Sequence, residues 1–425
     1  MSQPAPGPAP APTRGRQDAG VLAAGSLVAG VLAYVFFALV TRTLGPGPAA
    51  PVAVLWAWWG FAGAALTFPV QHWIARTTAT SAGEAAVRRG AGPVVTAVVG
   101  VSLLAGALAW LARDQLFGPE GGLFALLVVG VGLGSGLLGL PRGLLSGRQR
   151  FAAVGLGLVA ENGVRCAVAA ALAVSGNDTP VHYGLALLAG YAVIVLWPGA
   201  LVPRRAGSGT STAPLRFLSG ASAGQLLAQA TLTGGPVLVA AIGGAATSVT
   251  ALFAGLALFR APYTLALGLV SALTGRLTRL LETRRWATLR RIRRGVVVAT
   301  VAAGAVGGAG GAWLGPPVME LVFGVGVRLE PGDAGLVALG TVFALANLVL
   351  TLGLLVRDRA GAIVGSWLAA LPFGAAAHLL LGGDPLTSTC ATFLVIEAAA
   401  WLGLLTAEWR SDRLVRREQH RGAEG

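Results

Sequence analysis

The chain has 425 residues, of which 55% are hydrophobic and only 11% are charged, against about 25% charged residues in ordinary globular domains. A soluble protein of this composition would lack the polar residues to cover its surface, so we exclude that class. The net charge is +14, and every basic residue is arginine. Because the arginines fall between long apolar runs, we interpret them as topology signals of a membrane protein and not as a nucleic-acid-binding surface.

The N-terminal segment, residues 1–19, is rich in proline and alanine, which predicts disorder. The apolar run that follows is long and has no convincing cleavage site, so we interpret it as a membrane helix and not as a signal peptide. Runs of about 20 apolar residues, the length that crosses a bilayer, then recur along the chain. We predict twelve membrane spans, at Gly20–Val40, Val52–Ile74, Ala91–Leu111, Leu123–Leu140, Phe151–Val174, Tyr183–Val202, Phe217–Ile242, Ser248–Leu273, Gly295–Leu314, Gly335–Val356, Gly361–Leu381 and Ser388–Thr406.

The arginines are distributed unequally between the two sides of these spans. The N-terminal segment, the loops after even-numbered spans and the tail together hold 26 of them, whereas the opposite loops hold three. Because cytoplasmic loops carry the excess of basic residues, we predict a protein of the cytoplasmic membrane with both termini in the cytoplasm. We interpret Arg142, Arg148 and Arg150, in the turn after the fourth span, as topology signals of this kind.

The chain divides into two similar halves. Residues 20–202 hold six spans, a polar linker covers residues 203–216, and residues 217–406 hold six more before a basic cytoplasmic tail at 407–425. TRTLGPGPAAPVAVLWA, after the first span, resembles AAIGGAATSVTALFAGL, after the seventh. Six spans in each half bring both halves into the membrane from the same side. This predicts two lobes related by a parallel repeat, with a binding site between them.

Four ionisable residues lie near the middle of predicted spans: Glu161, Arg165, Arg260 and Glu397. Each would cost about 2.5–3.5 kcal/mol if it faced lipid, so we expect them to face protein or water. The functional interpretation is that Arg165 and Arg260, from opposite halves, make a cavity cationic for an anionic head group. The structural alternatives are that Glu161 and Arg165, four residues apart, neutralise each other, and that Arg260 pairs with Glu397.

Uncharged polar residues extend this set of candidates. Asn162 follows Glu161, Gln225 and Gln229 lie four apart in the seventh span, and Asn347 lies in the middle of the tenth. Polar groups inside spans contact substrates in some transporters and merely join helices in others. Both interpretations stay open for each of these residues.

Several enzyme classes lack their motifs in this sequence. A Walker A motif requires lysine, which is absent, and no HExxH or paired CxxC occurs. The first outer loop has no acid for sugar transfer. Cys166 and Cys390 have neither metal-ligand nor disulfide spacing, so we interpret them as small buried hydrophobes. We therefore expect neither an enzyme nor a bound metal or cofactor.

The most basic stretch, residues 276–294, lies between the eighth and ninth spans. Its leucines partly share one side, so an interfacial helix is one interpretation. The other interpretation is that its arginines only set the membrane topology. In either case these arginines would attract anionic lipid.

Motifs in a fixed order carry a family resemblance. RGLLSGRQRF before the helix of Glu161, RTLGPGP, FPVQHWIART, LTRLLETRRWATLRRIRR, LGPPVMELVFG and LVRDRAGAIVG together resemble polysaccharide and oligosaccharide-lipid flippases. These belong to the multidrug/oligosaccharidyl-lipid/polysaccharide exporter superfamily. The resemblance extends from about Gly20 to Trp409.

This resemblance implies an all-α membrane fold with two six-helix lobes, a central V-shaped cavity and alternating access. It implies substrates that are polyprenyl-pyrophosphate-linked oligosaccharides, with Arg165 and Arg260, and less clearly Arg42, meeting the pyrophosphate. It also implies membrane lipids as partners, together with glycosyltransferases and a polymerase of a polysaccharide pathway. No nucleic acid is expected.

We therefore predict a flippase for precursors of cell-surface polysaccharide. A cation-coupled multidrug exporter of the same superfamily is the main alternative, with Glu161 and Glu397 as candidate ion-coupling acids. A membrane scaffold for glycan assembly, which transports nothing, is a third hypothesis, and an integral-membrane sugar-transferring enzyme is the last.

Overall fold

A computed structural model describes residues 12–79, 83–204, 214–283 and 285–424. Throughout these ranges the chain forms helices that assemble into twelve spans, and the predicted all-α, two-lobed membrane fold is confirmed. Nine helical stretches among the described residues are long and apolar enough to cross a membrane. The sixth, seventh and eighth spans are shorter or interrupted.

The first lobe contains spans one to six. They are α1 (Pro12–Leu44); α2 (Ala50–Ala62), continuing through a π-helical turn, Gly63–Thr67, into α3 (Phe68–Thr78); α4 (Gly83–Leu111); α5 (Arg113–Phe117), a 3-10 turn, Gly118–Glu120, and α6 (Gly121–Gly147); α7 (Phe151–Val174); and α8 (Pro180–Ala189) with 3-10 turns at Gly190–Leu196 and Pro198–Ala200.

The second lobe contains spans seven to twelve. They are α9 (Pro214–Thr233) with α10 (Gly235–Ala241); α11 (Ala246–Phe259) with α12 (Ala261–Glu282); α13 (Trp286–Phe323); α14 (Pro331–Val356); α15 (Ala360–Leu380); and α16 (Pro385–Glu424).

The helices extend beyond several predicted boundaries. The first begins within the segment predicted as disordered, α9 begins within the predicted linker, and α16 continues through the predicted tail. Among the described residues of the stretch 276–294 there is no separate interfacial helix, which corrects that interpretation. The helical register of α12 continues to Glu282, and α13 begins at Trp286, so the basic stretch consists of two helix ends.

The helices of the second and eighth spans are each interrupted once. In the second span, the Phe68 N–H bonds the carbonyl of Gly63, five residues earlier. The next residue, Pro69, has no N–H, and such widened turns accommodate a local break in the α-helical ladder. In the eighth span, the helix breaks at Arg260 and restarts with Pro262 in its first turn, where proline is tolerated.

The two lobes share an aromatic core. Phe37 of α1 lies 4.4 Å from Phe253 of α11 and 5.8 Å from Phe323 of α13, measured between ring centroids. Trp56 of α2 lies 5.8 Å from Phe253. The Tyr34 hydroxyl donates a 2.6 Å hydrogen bond to the carbonyl of Ala257. The three pairs of aromatic rings are tilted or edge-on, the geometries that aromatic pairs prefer.

A second inter-lobe contact lies at the C-terminal end of α1. Thr41 donates a 2.6 Å hydrogen bond to the carbonyl of Phe323, and Arg42 Nε donates at 3.1 Å to that of Val322. Arg42 Nη2 also donates to the carbonyl of Leu321. Because carbonyls at a helix C-terminus lack partners in their own helix, Thr41 and Arg42 cap α13 from the other lobe. We call this contact the α1–α13 latch.

Candidate functional site

A buried ion pair occupies the centre of α7 in the first lobe. Arg165 is fully buried and Glu161 is 1% exposed. Arg165 Nη2 lies 2.6 Å from Glu161 Oε1, one helical turn away. Arg165 Nε donates at 2.8 Å to the carbonyl of Leu187 in α8, and Nη1 donates at 3.3 Å to Asn162 Oδ1. Each guanidinium nitrogen therefore has a protein partner.

A second cation completes this pair. Arg142, in the last turns of α6, donates from Nη2 to the other carboxylate oxygen of Glu161. Its side chain is 11% exposed. Arg142 was interpreted as a topology signal, and the structure shows that it also binds a buried carboxylate. We call Arg142, Glu161, Asn162 and Arg165 the α7 cluster.

Aromatic rings and a glycine enclose the α7 cluster. The Arg165 guanidinium carbon lies 4.7 Å from the ring centre of Trp59 and 5.6 Å from that of Tyr191. The Tyr191 hydroxyl is hydrogen-bonded to Ser135. A Cβ atom at Gly190 would lie 2.5 Å from Arg165 Nε, so the guanidinium fits only beside glycine. In this conformation, Arg165 is a packed structural cation.

A buried acid of the second lobe has different partners. Glu397 of α16 is 1% exposed and Asn347 of α14 is 2% exposed. Asn347 Nδ2 donates to Glu397 Oε2 at 2.8 Å and to its backbone carbonyl at 3.0 Å. Glu397 Oε1 and Asn347 Oδ1 are buried without a hydrogen-bond partner among the described residues. We call these two residues the α14–α16 pair.

The α14–α16 pair lines a pocket of about 380 Å³, together with Gln225 of α9 and Tyr263 of α12. The suggested Arg260–Glu397 ion pair is absent among the described contacts, because Glu397 instead accepts from Asn347. That alternative was therefore wrong. A buried carboxylate oxygen and a buried amide oxygen can each accept a hydrogen bond.

Arg260 lies at the break between α11 and α12, where the second lobe meets α1. It is partly exposed, and its electrostatic neighbours are Tyr34 of the first lobe and Tyr263 of the second. No acidic residue pairs with it in the part of the chain that the structure describes. It thus differs from Arg165, although both were predicted to line one cavity.

The two glutamines of α9 lie in different surroundings. Gln225 is exposed and lines the pocket of the α14–α16 pair. Gln229 faces α2 of the other lobe, where a Cβ atom at Gly60 would lie 3.3 Å from its Nε2. Gln229 is therefore an inter-lobe contact, and the four-residue spacing does not bring both amides to one site.

A second buried ion pair, which was not predicted from the sequence, joins the start of α4 to the residue that follows α6 in the first lobe. Arg148 lies 2.8 Å from Glu84 through Nε, and a second 2.8 Å bond joins Arg148 Nη2 to the other oxygen of the carboxylate. The Arg204 backbone N–H also donates to Glu84. The carboxylate raises the pKa of the Arg148 guanidinium. The sequence signal for this pair was Glu84, an acidic residue at the start of an apolar helix and next to a loop rich in arginine.

Arg42 and the cysteines take structural positions. Arg42, a less certain substrate candidate, forms the α1–α13 latch with backbone carbonyls. Cys166 and Cys390 are free thiols. Among the described residues, no group of three or more histidines, cysteines or acids is placed to hold a metal ion.

No protein-family model and no curated protein matches the chain, but several solved structures do. An inward-facing multidrug resistance MATE family transporter of the MOP superfamily has a TM-score of 0.66 and 15% identity, over 91% of this chain and 96% of that one. The outward-facing conformation of a transporter described in the same words has a TM-score of 0.59 and 15% identity, over 94% and 96%.

A third solved structure differs in how its pocket is described. A MOP superfamily transporter from Pyrococcus furiosus, with a binding pocket of reverse polarity that suggests a different function, has a TM-score of 0.54 and 14% identity. The match covers 92% of this chain and 95% of that one. At these identities, the likeness establishes the fold. The chain has the two-lobed, multi-pass membrane fold of these transporters.

Proposed function

We propose that this protein moves a polyprenyl-pyrophosphate-linked oligosaccharide, a precursor of cell-surface polysaccharide, across the cytoplasmic membrane. The observation that carries the proposal is Arg260, a cation between the lobes with no acidic partner among the described residues. An unpaired arginine inside a membrane protein is costly, and such residues mark substrate pathways. A pyrophosphate supplies the missing negative charge.

The arrangement around Arg260 suits a phosphate ligand. The planar guanidinium binds phosphate oxygens through two parallel hydrogen bonds. Its electrostatic neighbours, Tyr34 and Tyr263, belong to opposite lobes. The polar sugar would occupy the seam between the lobes while the polyprenyl tail stays in the bilayer. Alternating access would then require the α1–α13 latch to open.

Transport of a labelled substrate tests this proposal. The full-length protein would be placed in liposomes with a fluorescent undecaprenyl-pyrophosphate disaccharide, and its transfer would be followed by an impermeant quencher. Loss of a charged hydrogen bond costs about 1.5–3 kcal/mol, so Arg260→Gln should transport at least tenfold more slowly. Arg260→Lys should retain part of the rate, because the charge remains.

Exposed Arg328 provides the matched control, since it lies 3.7 Å from Glu320 at the protein surface. Arg328→Gln should transport at the wild-type rate. Transport by Arg260→Gln at the wild-type rate, with an unchanged unfolding temperature, would exclude Arg260 as the substrate cation.

A second candidate function is proton-coupled export of a cationic drug. It is favoured by the two buried oxygens of the α14–α16 pair that lack partners among the described residues. This hypothesis expects ethidium efflux that depends on the proton gradient and is lost in Glu397→Gln. Efflux that does not depend on the proton gradient, or that persists in Glu397→Gln, would contradict this hypothesis.

A further inference from the structure

An apolar groove opens at the arginine-rich ends of α12, α13, α14 and α16. It spans about 440 Å³, including the space at its mouth that is open to the surroundings. Six of the aliphatic side chains that line it are Leu277, Leu281, Leu289, Ile292, Val349 and Val356. The groove lies within the second lobe and is separate from Arg260 and from the pocket of the α14–α16 pair. Its wall of branched aliphatic residues suits a hydrocarbon chain.

The mouth of the groove carries net positive charge. Arg293, Arg357 and Glu408 line it, and Arg357 Nη1 donates at 3.5 Å to the backbone carbonyl of Glu408. Arg285, the N-cap of α13, is exposed, and half-buried Arg290 precedes Arg293 by about one helical turn. An anionic group at this mouth would therefore be attracted by several arginines at once.

Tryptophans place this mouth at the level of lipid head groups. Trp286 begins α13, and the Arg293 guanidinium lies 5.9 Å from the ring centre of Trp409. Tryptophan concentrates at the membrane–water interface. From Arg357 at this level, Val349 lies eight residues up α14, which corresponds to about 12 Å into the bilayer. The groove thus extends from the head-group level into the hydrocarbon level.

We propose that this groove binds one anionic glycerophospholipid of the adjoining leaflet. Its phosphate would lie at the arginines of the mouth, and one acyl chain would lie along the aliphatic wall. The positive charge of the mouth argues against the chain's own basic segments as the occupant, because residues 203–216 and 411–425 each carry net positive charge. The lipid site is independent of the transported substrate, so either proposal can fail without the other.

Native mass spectrometry of the full-length protein in detergent tests the site. The protein would be titrated with palmitoyl-oleoyl phosphatidylglycerol and, separately, with the corresponding phosphatidylcholine. The wild type should retain one phosphatidylglycerol molecule in preference to phosphatidylcholine. Each arginine near a membrane surface contributes about fivefold to anionic-lipid binding, so the double variant Arg285→Gln, Arg290→Gln should bind phosphatidylglycerol about thirtyfold more weakly.

Matched variants separate the groove from diffuse surface charge. Arg88→Gln with Arg150→Gln removes two exposed arginines from the first lobe and should leave lipid binding unchanged. Val349→Trp or Leu281→Phe should fill the groove and remove the retained lipid, with folding checked by the unfolding temperature. A wild type without preference for phosphatidylglycerol would overturn the proposal. So would equal losses in the two double variants, or full lipid retention in a folded groove-filling variant.

Discussion

The two lobes each bury one glutamate in the membrane, and the two glutamates have opposite surroundings. Glu161 accepts hydrogen bonds from Arg142 and Arg165, whereas Glu397 accepts from the neutral amide of Asn347. Both acids are 1% exposed, so burial alone does not distinguish them. Their partners do: the first lobe joins its carboxylate to two arginines, and the second retains oxygens that lack partners among the described residues.

The two central arginines show the same contrast. Arg165 is enclosed by Glu161, the Leu187 carbonyl and two aromatic rings. Arg260 lies between the lobes with tyrosines as its neighbours. A cation whose three guanidinium nitrogens all have protein partners positions helices, and a cation without an acid is available to a ligand. The first lobe is therefore expected to respond to mutation through stability, and the second through function.

The largest effect is expected for Glu161→Gln. This change leaves Arg142 and Arg165 beside each other without their shared carboxylate, and breaking a buried ion pair costs about 3–5 kcal/mol. The unfolding temperature in detergent should fall sharply. Glu397→Gln is the matched control, and because no cation depends on it, its effect should stay within about 1 kcal/mol. Equal effects of the two changes would remove the contrast between the lobes.

A smaller loss of stability is expected for Gly190→Ala. The added methyl group would lie 2.5 Å from Arg165 Nε, and such overpacking costs about 1–3 kcal/mol. Gly163→Ala in α7 is the matched control, because a Cβ atom there meets nothing within 4 Å. Denaturation of both variants measures the difference. If Gly190→Ala were as stable as Gly163→Ala, the guanidinium would not be packed against Gly190.

The smallest of the three effects is expected for Arg42→Gln at the α1–α13 latch. Loss of its inter-lobe hydrogen bonds should cost about 1 kcal/mol, which favours separation of the lobe ends about fivefold. Spin labels near the ends of α1 and α13 would report a larger population at long distance. Arg328→Gln should leave the distances unchanged. An unchanged distribution in Arg42→Gln would show that the latch does not hold this end closed.

The sequence predicted the number of spans and their centres because apolar length and the distribution of arginine report directly on the membrane. It did not predict where helices continue past the apolar runs. The basic stretch before Trp286, for example, carries no apolar signal to mark that α12 extends to Glu282. The aromatic core of Phe37 and Phe253 joins residues over 200 positions apart, which periodicity within one helix cannot reveal.

The site was predicted in part. Four-residue spacing correctly identified Glu161–Arg165, because both residues lie on one helix. The contributions of Arg142 and Trp59 depend on how α6 and α2 pack against α7, so no local pattern indicated them. For the same reason, charge balance wrongly suggested an ion pair between Arg260 and Glu397. Because α14 packs against α16, Glu397 is hydrogen-bonded to Asn347 instead.

The most direct test of the central claim is equilibrium binding of undecaprenyl pyrophosphate to the purified full-length protein and to Arg260→Gln. The unfolding temperature of each protein would be measured in parallel. If Arg260 is the available cation, the variant should bind at least tenfold more weakly with an unchanged unfolding temperature, because loss of a charged hydrogen bond costs about 1.5–3 kcal/mol. Wild-type affinity in Arg260→Gln would contradict this account.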